Sequence, residues 1–307
     1  WSLTTKASGE AFLDLFNFSD GTQVAASASN WTTEANARAM GLVTVNKKTG
    51  VTSIRTDAKN KYPGGLRPTV RLESKELYGD GVIVLEVAHF PTGCATWPSW
   101  WARPKSASFE EIDMYENVNG LFPRGASIIH TRSTCHLRNA TQTGKLELDS
   151  CSSTEDNTDG CRVNLQPSAS AAGASAGMTI AMERNFGAGG KGVRTWYWPR
   201  GKEPKSARST AKKVDPDQWG TPSASFPIQE CEDSAFVEPH MLVLTQSLCG
   251  KWTNTTYADS GCTSQAATCV DLVKNSPQAF AQAYWDIASL RFYGGDGSSS
   301  GKSSLHT

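Results

Sequence analysis

A chain of 307 residues, 38% of them hydrophobic, can bury a substantial core as one large β domain or as two smaller ones. Lys plus Arg and Asp plus Glu balance at 30 each, so no global field recruits nucleic acid or anionic lipid, and a neutral partner is expected. No apolar run approaches the roughly 20 residues of a bilayer-crossing helix; the stretch from Gly81 to Phe90 is too short and is broken by Glu86.

The sequence opens on Trp1 rather than Met and carries no signal peptide, so it reads as a processed mature form. The first 65 residues are turn-rich and polar, with short apolar pieces at Phe12 to Phe18 and Gly41 to Val45 that predict outer strands and loops. From Val70 the signal sharpens. Val70 to Ser74 alternates cleanly, and Val82 to Phe90 is apolar on nearly both faces, as a central strand covered on two sides must be. Further strand-like runs follow at Ala126 to Thr131, Met178 to Met182, Val193 to Trp198, Met241 to Leu248 and Trp285 to Tyr293. Short strands punctuated by Gly, Pro and Ser predict an all-β fold, an antiparallel sandwich or jelly roll. One short helical turn is expected at Ser276-Pro277, with Phe280 and Tyr284 on one face. Ala169 to Gly177 reads as a small-residue loop, and residues 294–307 as a Gly/Ser-rich tail or linker stub after a single domain spanning 1–293.

Eight cysteines, at 94, 135, 151, 161, 231, 249, 262 and 269, lack a zinc-type C-x-x-C pair and fit disulfides in an oxidising compartment. Their 105 pairings stay open, with a local Cys262 to Cys269 bridge as one expectation. Sequons at Asn17, Asn30, Asn139 and Asn254 are candidate glycan sites and, with the cysteines, predict a secreted, extracellular protein. The acidic stretch Glu155 to Gly160 lacks the final Glu and helical flanks of an EF-hand loop and is expected to be a solvated turn.

The chemistry concentrates in Glu111-Ile112-Asp113-Met114-Tyr115-Glu116, three carboxylates inside a strand-like run. Alternation puts Glu111 and Asp113 on one face and sends Glu116 to the other. A bulge near Met114 and Tyr115 would add one residue to the count and return Glu116 to the face of its two acidic neighbours. At roughly 3.3 Å per residue the two Glu backbones lie about 13 Å apart along the strand, and two long arms can close about half of that. The remaining gap suits a retaining glycosidase, whose carboxyls stand roughly 5 to 5.5 Å apart, with Asp113 between them setting which one holds the proton. An acidic solvated edge strand and a structural cation site of three carboxylates remain the plainer readings.

Upstream lies Trp97-Pro98-Ser99-Trp100-Trp101, in a chain with ten tryptophans. Trp97 and Trp101 share parity and offer flat faces to the C–H faces of pyranose rings, whereas Trp100, Trp196 and Trp198 serve equally well as core filler. Arg71 and His130 are the polar candidates beside them.

These residues together resemble glycoside hydrolase family 16, in particular its fungal secreted endo-β-1,3(4)-glucanases of laminarinase type. The E-I-D-x-x-E strand is similar at Glu111 to Glu116, and the T-W-P-x-x-W run at Thr96 to Trp101. Ile129-His130-Thr131, Val193 to Gly201, Trp219 to Pro222, Cys249 to Trp252 and Pro277 to Phe280 extend the resemblance over about residues 1 to 293. It implies a β-jelly roll of two bent antiparallel sheets with a substrate cleft on the concave face. It also implies Glu111 as nucleophile, Asp113 as helper and Glu116 as acid/base, with Arg71, Trp97, Trp101 and His130 contacting a β-glucan. Lys105 to Glu110, Tyr115, and Leu244 to Leu248 depart from the usual pattern and bear on the shape of the cleft. The expectation is a monomeric hydrolase of β-1,3 and mixed β-1,3/1,4-glucans such as laminarin and lichenan, with no cofactor or metal and no nucleic-acid or membrane partner. A transglycosylase of the same fold and a non-catalytic β-glucan-binding protein are the alternatives; the second would dispense with the Glu pair.

Overall fold

A computed structural model describes residues 1–22, 27–105, 110–120, 125–138, 140–153, 159–166, 176–227 and 238–295. Two sheets of eight strands each face one another across the main core, and every pairing inside them is antiparallel. The first runs Lys145–Leu148, Cys161–Asn164, Ala126–His130, Glu111–Glu116, Thr96–Pro104, His240–Leu248, Arg71–Tyr78 and Phe16–Phe18. The second runs Ala224–Phe226, Gly192–Pro199, Met178–Asn185, Gly81–His89, Tyr284–Gly294, Thr52–Arg55 and Val43–Val45, with Ser2–Ala7 also on Tyr284–Gly294. A small third sheet joins Gly21–Thr22, Ser29–Trp31 and Arg67–Thr69. The strong strand signals of the sequence all become strands of the two large sheets. No helix among the described residues is long and apolar enough to cross a membrane.

Gly81–His89 is covered on both faces, as its unbroken apolar run requires. Ile83, Leu85 and Val87 enter the inter-sheet core, while Val82 and Val84 pack outward under Trp196, Trp219 and Tyr293. Trp100 and Trp196 are therefore core residues, and Trp198 lies partly buried beside Trp219. Tyr115, which departs from the family pattern, fills the gap between the sheets, its ring 4.8 Å from Phe90 and 6.1 Å from Trp285.

Three expectations need correction. Phe12 and Leu13 are not in an outer strand; they form the short helix Glu10–Leu13 and enter the main core, Phe12 packing at 5.0 Å on Phe16 of the following strand. Tyr284 begins the last strand, and only Pro277–Phe280 makes the helical turn; the seven-residue helix Cys269–Asn275, capped by the Thr268 hydroxyl, precedes it. Cys262 and Cys269 do not pair. Cys262 joins Cys94 and Cys269 joins Cys249, because Cys262 lies in a tight turn and Cys269 opens a helix that turns its sulfur toward a different segment; Cys151 joins Cys161. Cys231, Asn139, most of the Ala169 to Gly177 and Glu155 to Gly160 stretches, and nearly all of the 294–307 tail lie outside the described residues.

The two long-range disulfides knit a satellite core of Cys94, Cys249, Leu248, Leu272, Val273 and Phe280. Arg67, wholly buried, anchors it. Its guanidinium donates to the carbonyls of Val273, Asp57 and Asn60, stands 3.6 Å from Asp57 Oδ1, and stacks over Phe280 and Tyr62. Removing it strands those carbonyls and takes the nearby cation from the buried Asp57 carboxylate, which keeps the Lys59 and Asn60 donors, and Lys cannot copy the planar fork. Arg67→Met is expected to cost about 3 to 5 kcal/mol in denaturant unfolding under non-reducing conditions, with Arg67→Lys recovering little of it. A loss under about 1 kcal/mol would show that the guanidinium is not what holds this lobe.

Candidate active site

The pairing of the Glu111–Glu116 strand with its neighbours shows how three acids come to one face. Toward the Thr96–Pro104 strand, Tyr115 opposes Trp100 but Asp113 opposes Trp101, so Met114 is an inserted residue. On the other side Asp113 opposes Ile128 and Glu116 opposes Ala126, so Met114 and Tyr115 together face Ser127. Both bulged side chains are fully buried in the core. Such a bulge interrupts the ladder, and beside it the Asp113 carbonyl accepts from the Ser127 hydroxyl at 2.9 Å. Glu116 consequently opens onto the same cavity as Glu111.

The three acids differ sharply in exposure. The Glu111 side chain is 34% exposed, Asp113 1% and Glu116 8%. Burial pushes the Asp113 carboxyl well above its ordinary range, reinforced by the charge of Glu111 and by a hydrogen bond with it. Burial also pushes Glu116 well up, helped by the charges of Asp113 and Glu111, against the opposing hydrogen bonds from Ser99 and Trp97. His130, opposite Glu111 on the next strand, brings Nε2 to 3.1 Å from Asp113 Oδ2 and 3.3 Å from Glu111 Oε1. An Nε2–H donor there serves both carboxyls and leaves Nδ1 to accept from the Ser153 hydroxyl at 2.8 Å. Glu116 stands outside this group, because Ser99 Oγ and Trp97 Nε1 donate to its Oε1 at 2.6 and 2.9 Å.

A cavity of about 250 Å³ opens over these residues. Trp97, Glu111, Glu116, Ile128 and His130 form its floor. Asp159 and Arg162 border it from one side and Lys251, Trp252 and Thr255 from the short helix Lys251–Thr255. That helix springs from a turn in which Cys249 and Gly250 both have positive φ; a Cβ on Gly250 would meet the Trp97 ring at 2.9 Å. The glycine lets the backbone lie against Trp97, and Trp252 then meets Trp97 edge-to-face at 5.9 Å. The Arg162 guanidinium covers the Trp252 ring at 5.1 Å.

Of the residues singled out in the sequence, Glu111, Glu116, Trp97 and His130 line this cavity, and Asp113 lies beneath it. Arg71 and Trp101 do not line it. Trp101 sits in register with Asp113, and Arg71, two strands beyond, pairs with Glu73 at 2.6 Å and stacks between Trp101 and Trp31. Asn17 and Asn254 are exposed and Asn30 half-buried. Sequence reasoning gave no role to Ser99, Ser153, Arg162 or Trp252. Proximity to a cysteine marks Arg162, Ser153 and Trp252, which follow Cys161, Cys151 and Cys249 within three residues; Ser99 carries no such mark.

Comparison with known proteins agrees with this geometry. Residues 16–293 match the family model for the XgeA-like, catalytic GH16 domain. The chain is 29% identical to an endo-1,3(4)-beta-glucanase of Arthroderma benhamiae over 92% of its own length and 62% of that relative's, and it spans 39% to 69% of the other fungal relatives' lengths. A solved structure of GH16 laminarinase 16A from Phanerochaete chrysosporium, with β-glucans in donor and acceptor sites, is 31% identical with a TM-score of 0.83, covering 95% of this chain and 99% of that one. An elongating family 16 β-1,3-glucosyltransferase is 27% identical, also with a TM-score of 0.83 and the same coverages. With its two facing antiparallel sheets, its bulged acidic strand and a family match reaching from the first strand of the cleft sheet almost to the last residue of the final strand, the chain belongs to glycoside hydrolase family 16.

Proposed function

We propose that this protein is a secreted retaining endo-glycosidase that cleaves β-1,3 and mixed β-1,3/1,4-glucans. The observation that carries the reading is the pair Glu111 and Glu116 lining one cavity, with the more buried Glu116 pushed well above the usual carboxylate range by burial and Asp113 hydrogen-bonded to Glu111. Glu116 gives its proton to the leaving glycosidic oxygen while a Glu111 carboxylate oxygen attacks the anomeric carbon, and the C–O bond to the leaving sugar breaks. The ionised Glu116 then takes a proton from water, which attacks the same carbon and releases Glu111. The zero net charge and the Trp97 and Trp252 faces suit a neutral, ring-faced polymer. The disulfides, and exposed Asn17 and Asn254 in sequons, support secretion and glycan attachment. The likeness to an elongating glucosyltransferase makes transfer to a second sugar the alternative fate of the glycosyl-enzyme.

Glu111→Gln is expected to lower turnover of laminarin by at least about 10³-fold while leaving the fold and oligosaccharide binding intact. Wild-type rates in that variant would remove Glu111 from the mechanism. A panel of laminarin, lichenan, barley β-glucan, cellulose, xyloglucan and galactans, with anomer and linkage analysis of the products, tests the substrate class; cleavage confined to galactans or xyloglucan, or inverted products, would overturn it. Lengthened products at high oligosaccharide concentration would identify transfer.

The raised Glu116 carboxyl also fixes a sign for stability. Between the ordinary glutamate value of 4.5 and its own higher one, the folded chain holds a proton that the unfolded chain has released. Stability is therefore fully present below 4.5 and declines as pH rises through that window. Glu116→Gln cannot titrate, so its melting temperature should fall less than the wild type's between pH 4 and pH 8. Parallel curves for the two proteins would show that Glu116 does not carry the cost.

A further inference from the structure

Glu116 Oε1 accepts from two donors at once, and the pair has a consequence for the proton. The indole N–H of Trp97 can only donate, so the oxygen it points at, 2.9 Å away, must use a lone pair to accept. Ser99 Oγ lies 2.6 Å from the same oxygen, a length typical of a hydroxyl donating to a carboxylate. An oxygen with two lone pairs is then saturated. Ser99 is itself buried and opposes Glu116 directly in the ladder on one side and Thr245 on the other, so its hydroxyl is held in place by strand geometry.

Building on the glycosidase reading above, we propose that Ser99 is a positioning residue that, together with the Trp97 N–H, ties down Glu116 Oε1 and leaves Oε2 as the single atom from which the proton is delivered. It acts through Glu116 and touches no reacting atom. Donation to Oε1 is stronger when the carboxyl is ionised than when it is neutral, so Ser99 also opposes the burial that raises Glu116 and keeps the proton transferable. The charged and titratable groups that face Glu116 are Glu111 and Asp113 on its own strand, His130 on the next, Asp159 and Arg162 at the cavity border and Lys251 on the short helix. Ser99, like Trp97, is an uncharged donor, so its removal changes Glu116 without deleting a neighbouring charge.

The test compares Ser99→Ala and Ser99→Thr with the wild type in pH profiles of kcat/KM on laminarin oligosaccharides, alongside a 2,4-dinitrophenyl laminarioligosaccharide whose leaving group needs no proton. Loss of the donor raises the pH at which Glu116 ionises, so the basic limb of Ser99→Ala should move up by about one pH unit. Ser99→Thr, which keeps the hydroxyl, should hold the wild-type limb. On the dinitrophenyl substrate Ser99→Ala should match the wild type. An unmoved limb, or an equal loss on both substrates, would reduce Ser99 to a packing role and overturn the proposal. These outcomes are separate from failure of the glycosidase reading, which would appear as full laminarin turnover by Glu111→Gln with the same substrate.

Discussion

One side-chain hydrogen bond, from the Ser127 hydroxyl to the Asp113 carbonyl, sits where the regular ladder of the cleft sheet breaks. A strand that kept its period of two would turn Glu116 into the apolar layer between the sheets, where an acid has no partner and a high cost. The bulge avoids this by placing Met114 and Tyr115, two successive apolar residues, on the core side of a single opposing residue. At the bulge the Ser127 hydroxyl donates to the Asp113 carbonyl and ties the two strands across the irregular step. Core packing and cleft chemistry are thus set by the same inserted residue. Tyr115 seals the inter-sheet space against Phe90 and Trp285, and its position is what allows the next residue to face substrate.

The acids gain their different roles from depth more than from identity. Asp113 is almost completely enclosed and Glu116 nearly so, while Glu111 is open to the cavity. Desolvation acts on the first two in the same direction, and each is further raised by a neighbouring carboxylate. His130 bridges Asp113 and Glu111, so the two carboxyls and a ring held by Ser153 form one connected unit. Glu116 belongs to a second unit with Ser99 and Trp97. Separate hydrogen-bond partners let two carboxyls on one strand differ in protonation, which is the condition for acid and nucleophile to coexist. Such burial works against stability at neutral pH, and the surrounding core must outweigh it.

Much of this was legible because strand periodicity is local. The alternation of Val70 to Ser74, the two-sided apolar run before Phe90 and the parity conflict within Glu111 to Glu116 each need only a few consecutive residues, and the bulge followed from requiring that no carboxylate face the core. What escaped depends on contacts far apart in sequence. Cys262 lies near Cys269 in the chain but bonds Cys94, 168 positions away. Phe12 reads as strand because the apolar run from Phe12 to Phe18 is short, yet the helix Glu10–Leu13 packs it against Phe16 of the following strand. Ser99 looks like any strand serine until Glu116 is brought opposite it, and Arg162 like any surface arginine until Trp252 arrives from a turn some ninety residues later.

Trp97 joins these levels. Its ring borders the cavity, its N–H donates to the Glu116 carboxyl, and its edge lies so close to Gly250 that any side chain there would collide with it. The Cys249–Cys269 bond fixes the turn that contains Gly250, and Arg67 braces the helix on which Cys269 sits through the Val273 carbonyl. The satellite core therefore reaches the chemistry by a short mechanical route: guanidinium to helix, helix to disulfide, disulfide to turn, and turn to an indole whose N–H is aimed at Glu116. A sheet alone would supply the two acids but leave that indole free to rotate. Coupling the cleft sheet to a disulfide-braced lobe holds it, so the lobe serves the cavity as a fixed backstop even though it contributes neither Glu111 nor Glu116.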